Sequence, residues 1–371
     1  MVSKYLQIPT RLKNFIIFIG LWIFFTTFAK AQDLHIYNWS DFIAKDTIAN
    51  FEQLTHINVT YDVYDSNEVL DGRLMAGKTG YDIVVPSDNF LARQLRVDIY
   101  QPLDKTKLPN YYHLDEKFLE MMAIHDPENR YAIPYIWQST GIGYNVKKVR
   151  EILGENAPVD SWDLIFKPEN LAKLKQCGVA FLDTASEMFP TVLNYLGKDP
   201  NSRKQADYDQ ATQFLKTLRD YVTYFHNSKY INDLSAGDIC VAIGWSGDIQ
   251  QAASAAKLAK NGVEIDYFVP KEGAIISFDA LAIPKDAHNI KEAYTFLNYL
   301  LEPQVMANIT NGIYFPSANK DALQYVKPDV RNNPIVYPDK DVINRLFIVK
   351  EQSPNIDRMM TRMWTRVLTG R

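Results

Sequence analysis

The stretch LHIYNWSDFIAKDTIANFEQLTHINVTYDVY, residues 34–64, decides the fold. Residues 34–39 alternate and close on Trp39, as a strand does, and residues 46–54 carry apolar side chains at helical spacing behind Asp46, a candidate N-cap. Residues 57–64 are again β-branched and alternating. A helical run at Asn67–Ala76 and a short apolar strand at 81–86 follow. Strands separated by helices of about ten residues build βαβ units and a parallel sheet. Further out, residues 133–145 (IPYIWQSTGIGYN) read as an extended, Gly-punctuated crossing between lobes. Residues 146–241 hold several helices, 206–221 among them, before strand Val241–Trp245. Residues 266–270 and 278–284 are extended, and 290–302 is helical with Ile290, Ala293, Leu297, Leu300 and Leu301 on one face. No repeat, low-complexity tract or polar linker interrupts the chain, so the pattern is two α/β lobes joined by short crossings.

The 371 residues are 47% hydrophobic and 23% charged, which excludes disorder, collagen-like repeats and coiled coil. With 40 basic and 44 acidic residues there is no basic surplus for nucleic-acid binding. The N-terminus is different. Lys4, Arg11 and Lys13 precede an apolar run at 15–29, and Ala29-Lys30-Ala31 places small residues where a signal peptidase reads them. The run is shorter than the roughly 20 residues of a membrane span, and no Cys follows it for lipid attachment. Residues 1–31 are therefore expected to be a cleaved secretory signal. Without their four basic residues the mature chain carries 36 basic against 44 acidic, a net charge of −8. Export also favours a disulfide between Cys177 and Cys240 over two buried thiols.

Several motifs lead nowhere. Residues 72–79, GRLMAGKT, satisfy the nucleotide P-loop pattern, but they end a helical run and precede a strand, the reverse of a P-loop's context. Arg73-Leu74-Met75-Ala76 is helix-forming and Gly77 suits a C-cap. His35, His56, His113, His125, His226 and His288 show no metal-ligand spacing and read as surface or capping residues; no metal or cofactor is implied. Gly244-Trp245-Ser246-Gly247 lacks the spacing of a nucleophile elbow, so no catalytic residue is assigned.

In open α/β sheets, ligands sit outside the carboxyl ends of the strands. Here those ends repeat one chemistry: Trp39-Ser40-Asp41, Pro86-Ser87-Asp88 and Trp245-Ser246-Gly247-Asp248. Asp279 begins the run 278–284 and reaches the same edge if that strand is antiparallel. Trp, Ser and Asp without Lys or Arg suit an organic cation, since aromatic faces attract ammonium groups and carboxylates accept their N–H donors. The competing reading makes each Asp a helix cap and each Trp core.

The longer stretches carry a resemblance. LHIYNWSDFIA at 34–44, YDSNEVLDGRLMAG at 64–77, TGIGYNV at 140–146, LGENAPVDSWDLIFKPENL at 153–171, VLNYLGKDPNS at 192–202 and YINDLSAGDICVAIGWSGD at 230–248 are similar to the periplasmic substrate-binding proteins of bacterial polyamine ABC importers, the putrescine-binding members above all. The resemblance covers essentially the whole mature chain. It implies the two-lobed periplasmic-binding-protein fold, each lobe a mixed β-sheet flanked by helices, with the ligand cleft between them. Lobe one would be 32–137 plus 278–325, and lobe two 138–277 plus 326–371. It further implies that Trp39 and Trp245 flank the ligand's methylene chain and that Asp248 and Asp279 clamp one ammonium. Ser40, Asp41, Ser87 and Glu187 would surround the other end, with Phe315 in the aromatic box and Cys177–Cys240 a disulfide of the second lobe.

Departures accompany the matches. Phe42 and Phe315 stand where putrescine-binding relatives carry Tyr, although Tyr314 is adjacent and a one-residue shift exchanges it with Phe315. Ser277 replaces a bulky aromatic, and Asp88 and Asn89 make the neighbouring loop more acidic, so a longer polyamine or agmatine competes with putrescine. The implied protein is a monomeric, non-enzymatic periplasmic component working with a membrane permease. The alternatives are a polyamine sensor of the same fold and an exported hydrolase using paired carboxylates, such as a glycosidase.

Overall fold

The computed structural model describes residues 32–370, and the leader expected in 1–31 lies outside them. Ten strands follow in chain order: β1 Asp33–Trp39, β2 Asn58–Tyr64, β3 Ile83–Val84, β4 Ala132–Asn145, β5 Val179–Phe181, β6 Tyr224–Phe225, β7 Val241–Trp245, β8 Ile265–Phe268, β9 Ala274–Ala282 and β10 Leu346–Ile348. Their lateral order is β2-β1-β3-β9-β4-β7-β5-β6, with β10 added to β9 and β8 to β4. Near each end the strands are parallel (β2, β1 and β3; β7, β5 and β6), as the βαβ reading requires.

The long strand β4 joins these two sets. Its residues 132–139 pair antiparallel with β9, and 140–145 pair antiparallel with β7 and β8. All fourteen residues are buried, so the crossing runs through the interior rather than over the surface. The register shifts between Pro134 and Ile136, where Pro134 has no N–H to give the ladder. Gly143 is required: a Cβ there would collide with the Ile249 side chain, so its absence lets helix Ser246–Ala259 lie against β4.

Some expectations need correction. The extended run at 278–284 begins inside β9, which starts at Ala274, so Asp279 lies within a strand that pairs with β3, β4 and β10. It still reaches the expected edge, because β9 runs antiparallel to β3 and Asp279 bridges Ser87. The strand at 81–86 shrinks to Ile83–Val84; Pro86 cannot donate, and the Val85 carbonyl is taken by the Trp39 indole and the Tyr64 hydroxyl. Asp46 precedes helix Thr47–Thr55 without capping it through its side chain, whose oxygens accept from Asn50 and Asn308 instead. His125 is buried, not at the surface. Residues 72–76 lie within helix Asn67–Ala76, and Gly77, at φ 68°, caps it through Leu74.

In the second set, helix Pro354–Thr369 packs on Gln205–Leu218 and Ala185–Tyr195. Cys177 and Cys240 form a disulfide across 63 residues, tying the approach to β5 to that of β7. Closing a loop of that length stabilises by about 4 kcal/mol in the chain-entropy picture. Replacing both cysteines with Ala should lower the unfolding free energy by about 2–4 kcal/mol in urea titrations, with ligand affinity retained.

Candidate functional site

Four strand ends and one strand centre converge. β1 ends in Trp39, β3 leads through Pro86 to Ser87, and β7 ends in Trp245 before helix Ser246–Ala259. β5 leads to helix Ala185–Tyr195, with Glu187 in its first turn, and β9 brings Asp279 opposite Ser87. Sheet geometry places the site; the helices that follow aim its acids.

Asp279 is fully buried, and its two oxygens accept from Ser87 Oγ at 2.6 Å and Gln138 Nε2 at 3.3 Å. Asn67 fixes Ser87 in turn, donating to its Oγ at 2.9 Å and accepting from its N–H at 3.1 Å. Asp248 is buried with Oδ2 accepting from the Tyr230 hydroxyl at 2.6 Å, while Oδ1 has no partner. Glu187 accepts from Thr140 Oγ1 at 2.7 Å. None of the three carboxylates has a Lys or Arg partner among the described residues. Burial pushes Asp248 up to about 8, against the lowering effect of Tyr230, and Asp41 and Asp279 raise it further. Burial likewise raises Asp279 and Glu187, each to about 7. Further unpartnered polar atoms are the Trp245 indole N–H, Gln138 Oε1 and Ser277 Oγ. Gln138 and Ser277 face each other across the β4–β9 ladder.

The aromatic residues form one wall. Trp39 meets Trp245 edge-on at 5.8 Å and Phe42 at 5.4 Å, and Phe42 meets Phe315 at 4.7 Å. Trp39 and Trp245, which the resemblance implies flank the methylene chain, meet edge to face in this arrangement. Phe315 is wholly buried and packs against Gly247, where any Cβ would strike its ring at 2.5 Å. Ser40 is exposed and donates to Asp41 Oδ2 at 2.9 Å, so these two form the outer rim. Asp88 lies near enough to Asp279 and Glu187 for their charges to add to the effect of burial in raising the pKa of its carboxyl. It opens helix Asp88–Leu95, is buried, and turns Oδ2 toward His125 Nε2 at 3.5 Å.

Gln138, Thr140, Tyr230 and Asn67 escaped the sequence reading. A signal existed for the first two: Gln138-Ser139-Thr140 is a polar triplet inside a strand that is otherwise nearly all apolar and glycine, and buried polar groups must find partners. Tyr230 and Asn67 carry no such mark.

A sequence profile described as bacterial extracellular solute-binding protein matches residues 46–338. The chain belongs to that family. It is 59% identical over 347 residues to the putrescine-binding periplasmic protein PotF of Escherichia coli (strain K12), covering 93% of this chain and 94% of that one. Against the putrescine-binding periplasmic protein SpuD of Pseudomonas aeruginosa it is 51% identical, covering 92% and 94%. A solved structure described as a putative spermidine/putrescine ABC transporter from Listeria monocytogenes superposes with a TM-score of 0.82 at 30% identity, covering 92% of this chain and all of that one. The two α/β lobes around a cleft are thus the family's fold, and no helix among the described residues is long and apolar enough to cross a membrane.

For a solute-binding protein the empty site has a measurable signature. An acid whose folded pKa lies above its unfolded value keeps its proton after the unfolded chain has lost it, so stability falls as pH rises between the two values. For Asp248 that window runs from 3.8 to about 8. Asp248→Asn should therefore gain melting temperature relative to wild type as pH rises from about 5 to about 8, measured without ligand by scanning fluorimetry.

Proposed function

We propose that the chain is the periplasmic substrate-binding component of a polyamine ABC importer, capturing putrescine in the cleft and delivering it to a membrane permease. One observation carries the reading: the buried carboxylates of Asp248 and Asp279 and the half-buried one of Glu187 gather at the strand ends beside an aromatic wall, with no basic side chain to neutralise them. The missing partner must bring positive charge and apolar length. Asp248 and Asp279 are assigned to one ammonium, and Glu187, Asp41 and Ser40 to the other end; Ser87, expected at that other end, donates to Asp279 instead and is assigned with it. Trp39, Trp245 and Phe315 are assigned to the methylenes. The lobes are taken as 32–137 plus 278–325 and 138–277 plus 326–371; the change of ladder partner along β4 between Ser139 and Thr140 supports that division. The role is binding rather than catalysis, in keeping with the relatives, whose names describe binding proteins.

Calorimetry tests this. Putrescine should bind near micromolar, about −8 kcal/mol, and a monoamine of equal length should bind about a hundredfold more weakly or worse, because one buried charge stays unpaired. Asp279→Asn should cost more than tenfold in affinity. Putrescine that fails to bind below millimolar would overturn the assignment.

The raised carboxylates add a pH test. A diammonium pairs with ionised acids, so binding must expel the protons held at about 7 to 8 by Asp279, Glu187 and Asp248. Affinity should rise from about pH 6 to about pH 8, by up to about tenfold per unit for each proton released. Titrations in buffers of different ionisation enthalpy count those protons, and a count of zero would contradict the site as drawn.

A further inference from the structure

Helix Pro303–Ile313 ends at Tyr314, whose backbone is left-handed, φ 61°, with its N–H on the Thr310 carbonyl at 2.8 Å. Such helix ends are common, but Gly or Asn usually fills them, because a Cβ crowds the backbone in that conformation. A Tyr held there is strained, and strain of this kind persists where the surroundings demand it. The demand is visible on both sides. The turn drops Phe315 into the interior against Gly247 and carries the Tyr314 hydroxyl to Ser254 Oγ at 2.8 Å. Gly247 and Ser254 both belong to helix Ser246–Ala259, the helix that carries Asp248. Among the described residues, the bond to Ser254 is the one side-chain hydrogen bond between that helix and residues 303–315.

We propose that Tyr314 is a positioning residue whose hydroxyl, with Ser254, clasps the cleft shut over bound ligand. It touches no ligand. It acts by fixing helix Ser246–Ala259, and with it Asp248, against the element that ends in Phe315. Its strained backbone is tolerated because relaxing it would withdraw both the hydroxyl and the Phe315 ring. This rests on the reading of the cleft as a polyamine site.

Tyr314→Phe removes only the hydroxyl, and Ser254→Ala removes its partner. Each should weaken putrescine affinity three- to tenfold by calorimetry, through faster dissociation in stopped-flow traces, and the double variant should be no worse than either single one. Tyr314→Asn separates a clasp from a general structural role. Asn accepts the left-handed backbone, so the unliganded protein should melt no lower than wild type while affinity falls as in the Phe variant. Variants that bind and release like wild type, or whose effects simply add, would overturn the proposal. Wild type that fails to bind putrescine sinks the functional reading alone. The clasp is then judged by small-angle scattering of the unliganded protein, where loss of the hydroxyl must enlarge the radius of gyration and an unchanged radius overturns it.

Discussion

A carboxylate sealed from water with no cation beside it must hold a proton or wait for a partner, and Asp279 is in that position. Its oxygens are gripped by Ser87 from the end of β3 and Gln138 from the middle of β4, while it sits on β9 itself. One buried acid thus ties the parallel strands of the first lobe to the crossing pair that leads into the second. Leaving such a charge ionised and unpaired would cost several kcal/mol, so the empty site favours the neutral form and the filled site the ionised one. The fold positions the acid, and the acid in turn requires a cation.

The remaining groups come from both sets of strands. Asp248 and Glu187 open helices that follow strands of the second set, and Trp39 and Phe42 belong to the first. A ligand charged at one end satisfies only part of this arrangement. A free amino acid brings its own carboxylate into a site without Arg or Lys. Contacts between an ammonium and the aromatic wall add about 0.5–2 kcal/mol each. A diammonium joined by methylenes meets the acids and the wall together.

The fold was legible in the sequence to the degree that it depends on periodicity. The alternation at β1 and β2 and the apolar face of the helix that became Ile290–Leu300 needed no tertiary information. The acids and Trp residues at strand ends were legible for the same reason, since strand ends are where a parallel sheet exposes its carboxyl edge. What periodicity could not show was where β9 begins. Residues 274–277 extend the strand by pairing with β10 and β4, so Asp279, expected to begin its strand, lies inside it. Nor could it show which way a side chain turns: Asp88 is buried with one oxygen toward His125, a pairing that no spacing in the sequence marks. Tyr230, which holds Asp248, is an ordinary helical aromatic until the fold brings its hydroxyl there.

The helices that carry the acids explain why the site can let go as well as hold. Glu187 and Asp248 each lie in the first turn of a helix, where backbone N–H groups point outward and the macrodipole favours negative charge. Burial opposes this by favouring the protonated form. Burial, offset by the hydrogen bonds from Thr140 to Glu187 and from Tyr230 to Asp248, leaves the acids near 7 and 8, close to neutral pH rather than far above it. Three permanently ionised carboxylates would hold a dication too tightly for release, and three firmly protonated ones would not attract it. Acids poised near neutrality exchange protons for ammonium groups at modest net free energy.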